Sequence, residues 1–371
     1  MALKSLDIFS VHGFPVGLIQ CESNFLGIMD PDKNMCVGSG GWKNVTEKYR
    51  KAKSFCDAPF EMRHKGSKKE VVRTSGEWIG DTLNGSGNGK VRSVNIFCGD
   101  AADVDLPESS LDAVFTDPPY FGNVQYAELM DFCYVWLRNL VGEKIGSFKK
   151  ESTRNAQELT GNIDMGRGLD HFTEGLSSVF CKMAAALKPG APLAFTYHHN
   201  NMDAYLPVAV AILDSGLTCS ATLPCPAEMG ASIHINGTGS SIIDTVFVCR
   251  ASGAVSEKKL PDSPEGVAAL VNEDLEELRK GNVKPSLGDT RCIGYGHLVR
   301  LAIWNLRNFW DKAAETNQKI AVVDAWLNDF GGWPEVSRHL KNMESPLPDS
   351  HVPVGNEPLG DRGLLYANVS F

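Results

Sequence analysis

The chain has 371 residues, which is enough to bury a sizeable core and to form one large or two ordinary domains. With 43% hydrophobic and 22% charged residues, its composition is that of an ordinary globular protein. Its net charge of −9 argues against a protein coated in nucleic acid, and no apolar run approaches the ~18 residues of a membrane span.

The N-terminus and the cysteines predict a cytoplasmic protein. The first residues, "MALKSLDIFSVHGF", lack the basic start and apolar stretch of a signal peptide. The ten cysteines are scattered through apparent strands and helices, which is typical of reduced, packed thiols. No C-x-x-C pair occurs, and the nearest pair, Cys219 and Cys225, lies within one predicted strand and its exit. We therefore expect no metal site.

Residues 1–93 are predicted to form a loop-rich N-terminal segment that contains a local excess of basic residues. The glycine-rich turn at 38–42 precedes a helix predicted to end near Phe55, and "NGSGNG" at 84–89 predicts a hairpin. Between Lys43 and Arg73, ten Lys and Arg stand against four Asp and Glu, a net charge of +6. This segment is either a phosphate-contacting surface or the solvated face of a helix.

Residues 94–250 are predicted to form an α/β domain. Short apolar runs alternate with helical patterns near 125–141, 169–187 and 203–215, and this alternation predicts a mostly parallel sheet with both faces covered. The predicted strands are "VNIFCG", "LDAVFT", "PLAFTYH", "LTCSATLP" and "IIDTVFVCR".

Residues 251–371 differ in composition and are predicted to be a linker followed by an α-helical C-terminal extension. "VAALVNEDLEELRK" and "HLVRLAIWNLRNFWDKAAE" have the periodicity of amphipathic helices. In the second helix Trp304, Phe309 and Trp310 indicate a packing face, either for the domain or for a partner. The last thirty or so residues, rich in proline, predict an irregular tail.

Two predicted strands end on an acid. "IFCGDA" places Gly99 and Asp100 at one strand end, and "AVFTDPPY" places Asp117 and Tyr120 at the next. Ligands bind at the carboxyl edge of a parallel sheet, so we expect Asp100 and Asp117 at the same edge.

The run Asp117-Pro118-Pro119-Tyr120 has the chemistry of a base-binding pocket. The two prolines fix φ and have no N–H group, so the chain is stiff and its carbonyls are free to accept. A carboxylate beside a rigid carbonyl can hold an exocyclic amine, and the Tyr120 ring can stack on a flat heterocycle. This predicts a pocket for an adenine or cytosine swung out of its stack, the alternative being a proline-rich turn without function.

At these residues the sequence resembles the amino-methyltransferases that modify adenine N6 or cytosine N4 in DNA, whose hallmark is [D/N/S]-P-P-[Y/F/W]. Over residues 5–250 it is similar to the large adenine-specific DNA methylases. The segments that support this likeness are "FSVHGFPV", "GSGGW", "TDPPYFGNVQYAELMDFCYVWLR", "LKPGAPLAFTYHH" and "GTGSSIIDTVFVCR".

The resemblance implies a class I, Rossmann-like methyltransferase sheet that uses S-adenosylmethionine. Asp117 and the Pro118 carbonyl would hold the target amine, Pro119 would stiffen the loop, and Tyr120 would stack on the base. Gly99, Asp100 and Ala101 would bind the cofactor, with Asp100 on its adenosine part. Lysines and arginines between 121 and 188 would form a lid, contact DNA or lie in a solvated loop: Lys144, Lys149, Lys150, Arg154 and Arg167.

One part of the resemblance is missing. These enzymes bind the methionine end of the cofactor on an F-x-G-x-G loop after the first strand, and this chain has no such loop after a buried strand. The chain therefore resembles a C-terminal portion, and we expect an incomplete sheet with a gap or an exposed edge. A second polypeptide with the glycine loop would then be a partner, beside DNA.

Other residues and functions stay open. His198 and His199 either line the base pocket or precede a helix capped by Asn200 or Asn201, and the second interpretation is favoured. The predicted function is transfer of a methyl group to adenine N6 in DNA. The alternatives are an inactive scaffold subunit with the same fold, or an amino-methyltransferase for cytosine N4, RNA or protein glutamine.

Overall fold

The structure, a computed structural model, describes residues 28–30, 35–37, 42–65, 68–74, 99–122, 125–162, 165–227, 241–251, 255 and 260–340. These residues fall into two compact units, one up to residue 74 and the other from residue 99. In the described part of the chain no helix is long and apolar enough to cross a membrane.

Within its described residues, the first unit contains one helix and two antiparallel strand pairs. Its elements are β1 (Ile28–Asp30), β2 (Met35–Val37), α1 (Trp42–Asp57), β3 (Phe60–Lys65) and β4 (Lys68–Arg73). The predicted helix is confirmed and ends two residues later than expected. The predicted hairpin at 84–89 lies outside the described residues. The hairpin of β3 and β4 flanks Gly66-Ser67, a dipeptide typical of two-residue loops.

The second unit contains a four-stranded sheet and seven α-helices within the described residues. Its strands are β5 (Val114–Thr116), β6 (Leu193–Tyr197), β7 (Leu217–Pro226) and β8 (Ile243–Ala251). Its helices are α2 (Tyr126–Val141), α3 (Leu169–Ala186), α4 (Leu206–Asp214), α5 (Pro264–Lys280), α6 (Leu287–Leu306), α7 (Thr316–Asp329) and α8 (Gly332–Arg338). Four of the five predicted strands and all three predicted helices of residues 94–250 are therefore confirmed as elements. Most of the fifth, "VNIFCG", lies outside the described residues.

The sheet is mixed, with strand order β5-β6-β8-β7. β5 and β6 are parallel, whereas β8 is antiparallel to both of its neighbours. Three strands thus run the same way and the reversed β8 lies between two of them, so the expected mostly parallel pairing is wrong for β8. Its alternating burial, from buried Ile243 to half-buried Arg250, is the pattern of an antiparallel strand, not of the continuously buried strand expected.

The C-terminal helices pack on this sheet and belong to the same compact unit. The most buried is α6, which contacts β7 and β8 and begins about ten residues before the predicted helix. Its start is fixed by a capping box, in which Ser286 and Asp289 each bond the other's backbone N–H. Trp304 and Trp310 pack within the domain, whereas Phe309 is 87% exposed, so for Phe309 a packing face toward a partner stays a prediction. The tail after residue 340 lies outside the described residues. The domain limits at 93/94 and 250/251 stay predictions.

Candidate active site

Asp117 follows the last residue of β5 directly. β5 and β6 are parallel, and Thr116 pairs with Phe195. The residues that follow them, Asp117 and Thr196, therefore lie next to each other. The Thr196 hydroxyl accordingly donates a hydrogen bond to Asp117 Oδ1. The Tyr120 hydroxyl donates to the same oxygen at 2.9 Å. Two hydroxyls therefore fix one oxygen of an exposed carboxylate, and no hydrogen bond from a described residue occupies the other, Oδ2.

The two prolines form the irregular loop that was predicted. Residues 117–120 are neither strand nor helix, and Pro118 is buried while Pro119 is half-buried. A proline has no N–H group, so neither residue can extend the pairing of β5. The loop instead turns so that Tyr120 bonds back to Asp117, three residues earlier.

Tyr120 is half-buried and anchored against other aromatic residues. Its ring meets the Tyr197 ring edge to face, with centroids 5.2 Å apart, and the His198 ring lies 6.5 Å away. Burial raises the pKa of Tyr120, so the phenol stays protonated and remains the donor to Asp117. The ring is thus held in place from one side while its hydroxyl orients the carboxylate.

A line of aromatic rings continues from Tyr120 into the core. The neighbouring rings meet edge to face at 5.2, 5.1, 5.5 and 5.7 Å, in the order Tyr120, Tyr197, Tyr205, Tyr295 and Trp333. Tyr197 also bonds the loop, because its hydroxyl accepts from the Phe121 N–H and donates to the Ala204 carbonyl. Because Tyr295 lies on α6 and Trp333 on α8, these ring contacts connect the candidate site to both helices and restrain its geometry.

Three contributors to the site are not singled out by the sequence pattern: Thr196, Tyr197 and Tyr126. Tyr126 is the first residue of α2, and its hydroxyl bonds the backbone of Tyr120. Burial raises the pKa of Tyr126 as well, so its phenol also stays neutral. The only sequence signal for these residues is their closeness to "DPPY" or to the end of the next strand.

The two histidines after β6 have separate roles. His199 is half-buried, and its Nδ1 accepts from the Asn201 N–H at 2.9 Å. Asn201 in turn caps the short 3₁₀ helix Met202–Tyr205, as the favoured interpretation predicted. Burial lowers the pKa of His199 to about 4, so it is neutral at pH 7. His198 instead lies beside Tyr120, with Nδ1 3.1 Å from the Ile243 carbonyl.

The segment over the N-terminus of α2 is held by a buried ion pair. Arg167 Nη1 bonds Glu158 Oε2 at 2.9 Å, and Glu158 Oε1 accepts from the Ala127 N–H at 2.8 Å. The Arg167 side chain is only 6% exposed, so its predicted place in a lid, DNA contact or solvated loop is wrong: it is a structural residue. Arg154 lies at 3.7 Å from Glu128 and 3.8 Å from Asp131. The remaining lysines of that set, Lys144, Lys149 and Lys150, are exposed.

The residues expected to bind the cofactor lie in an exposed turn. Asp100 Oδ1 accepts from the Ala102 N–H at 2.9 Å, which leaves its other oxygen for a further donor. Gly99 and Ala101 are exposed on either side. Residues 94–98, the strand expected to precede them, lie outside the described residues, so the shared edge with Asp117 stays a prediction. Across the described residues, no group of three or more His, Cys, Asp or Glu is placed to hold a metal ion.

No known protein family matches the chain, and no curated protein matches it either.

Proposed function

We propose that the protein is an S-adenosylmethionine-dependent DNA methyltransferase that acts on the N6 amino group of adenine. The observation that supports this best is the Asp117 carboxylate at a strand end, with one oxygen fixed by Thr196 and Tyr120. A carboxylate held in this way presents a defined acceptor to an N–H donor. An exposed carboxylate in a functionless turn would need neither hydroxyl.

The chain's own residues orient the amine. Asp117 and the Pro118 carbonyl accept its two hydrogen bonds, and the Tyr120 ring stacks on the flat heterocycle. When bound, the cofactor supplies the methyl group on its sulfonium. The methyl group would pass from the sulfur to the amine nitrogen, and the proton that the nitrogen loses would go to the Asp117 carboxylate or to water. Holding the amine in line with the methyl group supplies much of the rate gain.

The cofactor fits these residues in part. The exposed Asp100 carboxylate, oriented by the Ala102 N–H, suits the hydroxyls of the adenosine part, with Gly99 and Ala101 beside it. The methionine part has no glycine loop in this sequence. We therefore propose that a second polypeptide supplies the F-x-G-x-G loop.

The surface near the candidate site supports such a partner. β5 is the edge strand of the described sheet, and its Phe115 side chain is 78% exposed. On α2, Met130, Leu137 and Leu140 are also exposed. Uncovered apolar residues beside an edge strand favour pairing with another chain. A chain that purifies as a monomer and binds S-adenosylmethionine tightly by itself would contradict this part of the proposal.

The test is transfer of labelled methyl groups from S-adenosylmethionine to duplex DNA, RNA and protein in separate reactions, with and without the partner chain. We expect label in DNA. Label in RNA or protein would favour the corresponding amino-methyltransferase. No label under any condition would favour the inactive scaffold subunit, which the missing glycine loop also favours.

A further inference from the structure

The first unit carries a charge opposite to that of the rest of the chain. Its ten Lys and Arg between Lys43 and Arg73, against four Asp and Glu, give +6, so the other residues together carry −15 to make the total of −9. Such a concentration of one sign in 31 residues creates a local positive potential in an acidic protein. Opposite charge attracts, so this unit favours an anionic partner.

The positive side chains are at the surface. Nine of the ten are exposed: Lys43, Lys48, Arg50, Lys51, Lys53, Arg63, Lys68, Lys69 and Arg73. Within the described residues of this unit there is one ion pair, between Lys51 Nζ and Glu47 at 3.0 Å. Among its described residues, ion pairing therefore offsets one of the ten cations.

Aromatic side chains lie among these cations. Trp42 and Tyr49 are 56% and 65% exposed and, with Val45, have the i, i+3, i+7 spacing of one face of α1. The Lys53 ammonium is 5.7 Å from the centre of the Tyr49 ring. Phe55 and Phe60 meet edge to face at 5.2 Å at the end of the helix. A helix face that is merely solvated has no need of exposed rings.

We propose that α1 and the β3–β4 hairpin form a DNA-binding surface, in which the cations contact the phosphate backbone and the Trp42 and Tyr49 rings contact bases or sugars. Lysine and arginine neutralise phosphates with release of counterions, and aromatic rings stack on unpaired bases without sequence preference. This goes beyond the proposed function, because it rests on a unit other than the one that contains Asp117. Of the two interpretations of the basic segment, the proposal adopts phosphate contact.

The test measures binding of the full chain to a fluorescent DNA duplex with a single-stranded overhang, at several salt concentrations and without S-adenosylmethionine. The variant combines Lys48→Gln, Arg50→Gln and Lys53→Gln. We expect binding at least ~10-fold weaker, and a slope of log K against log salt that is lower by about 2.5. The matched control neutralises three exposed cations of the other unit, Arg279→Gln, Lys280→Gln and Lys284→Gln, and should bind as the unaltered chain does.

Three results would overturn the proposal: unchanged binding by the basic-unit variant, an equal loss in the control, or preference for RNA or for phosphatidylserine vesicles over DNA. The single substitutions, each expected to lower the slope by about 1, serve if the triple variant does not fold. The binding assay contains no S-adenosylmethionine and does not depend on methyl transfer, so a failure of methyl transfer and a failure of this surface give different results.

Discussion

Tyr120 does two things that can be separated by substitution. Its ring packs on Tyr197 and is proposed to stack on the base, while its hydroxyl orients Asp117. Tyr120→Phe keeps the ring, so we expect methyl transfer to fall by only about 10-fold, the worth of one hydrogen bond to a charged group. Tyr120→Ala removes the ring as well and should lose at least ~100-fold. Equal rates for both variants in the labelled-methyl assay would contradict a stacking role.

Thr196 is expected to act through Asp117. Thr196→Val keeps the size of the side chain but removes the hydroxyl that donates to Oδ1, so the carboxylate is less well oriented. We expect kcat to fall by about 10-fold. Thr196→Ser retains the hydroxyl and should restore most of the rate. If Val and Ser gave the same loss, packing at this position would matter and the hydrogen bond would not.

His199 makes stability depend on pH. A histidine has an ordinary pKa of about 6.5, and burial lowers the pKa of His199 to about 4. Between these values the unfolded chain binds more protons than the folded chain, so the free energy of unfolding falls as the pH falls through this window. The loss from this one group between pH 8 and pH 5 is about 2 kcal/mol.

His199→Gln removes the titrating group, so the difference in the free energy of unfolding between pH 8 and pH 5 should be smaller by about 2 kcal/mol. The measurement is urea unfolding at pH 8 and pH 5. The exposed His339→Gln is the control and should leave the profile unchanged. Parallel profiles for the unaltered chain and His199→Gln would show that His199 does not set the acid response.

At the scale of elements, the Arg167–Glu158 pair is expected to hold the connection between α2 and α3. Arg167→Met leaves the Glu158 carboxylate mostly buried without its cation, and removal of one partner from such a pair costs about 3 kcal/mol. Arg154→Met removes an exposed arginine from the same segment and should cost less than about 0.5 kcal/mol. Urea unfolding compares the two. Similar losses for both would contradict a structural role specific to Arg167.

Periodicity predicts most of these elements, but it does not predict how they pair. The helices α2, α3 and α5 follow the apolar spacing of the sequence closely, because that spacing reflects the face each helix buries. The reversal of β8 between β6 and β7 depends on contacts between distant segments, and a short apolar run does not record strand direction. The bond of Thr196 to Asp117 likewise depends on the register of β5 and β6, which no local pattern gives.

At the scale of the whole molecule, the edge of the described sheet at β5 is the expected contact for the proposed partner chain. β5 ends the described sheet, and the exposed Phe115 and Leu140 lie on the strand and the helix that flank the Asp117 loop. Phe115→Lys should therefore weaken co-purification with a chain that contains the glycine loop, because it places a charge where an apolar contact is expected. Phe309→Lys, at a similarly exposed phenylalanine in the turn after α6, is the control and should not weaken co-purification. Co-purification that is unaffected by Phe115→Lys would place the contact elsewhere.

The most direct measurement is mass spectrometry of nucleosides released from DNA after incubation with S-adenosylmethionine, the partner chain and either the unaltered chain or Asp117→Ala. Asp112→Ala, which removes an exposed carboxylate five residues away, controls for the loss of a charge. We predict N6-methylated deoxyadenosine with the unaltered chain and with Asp112→Ala, and none with Asp117→Ala. Methylation that survives Asp117→Ala, or DNA left unmodified by the unaltered chain, would contradict the proposed role of this carboxylate.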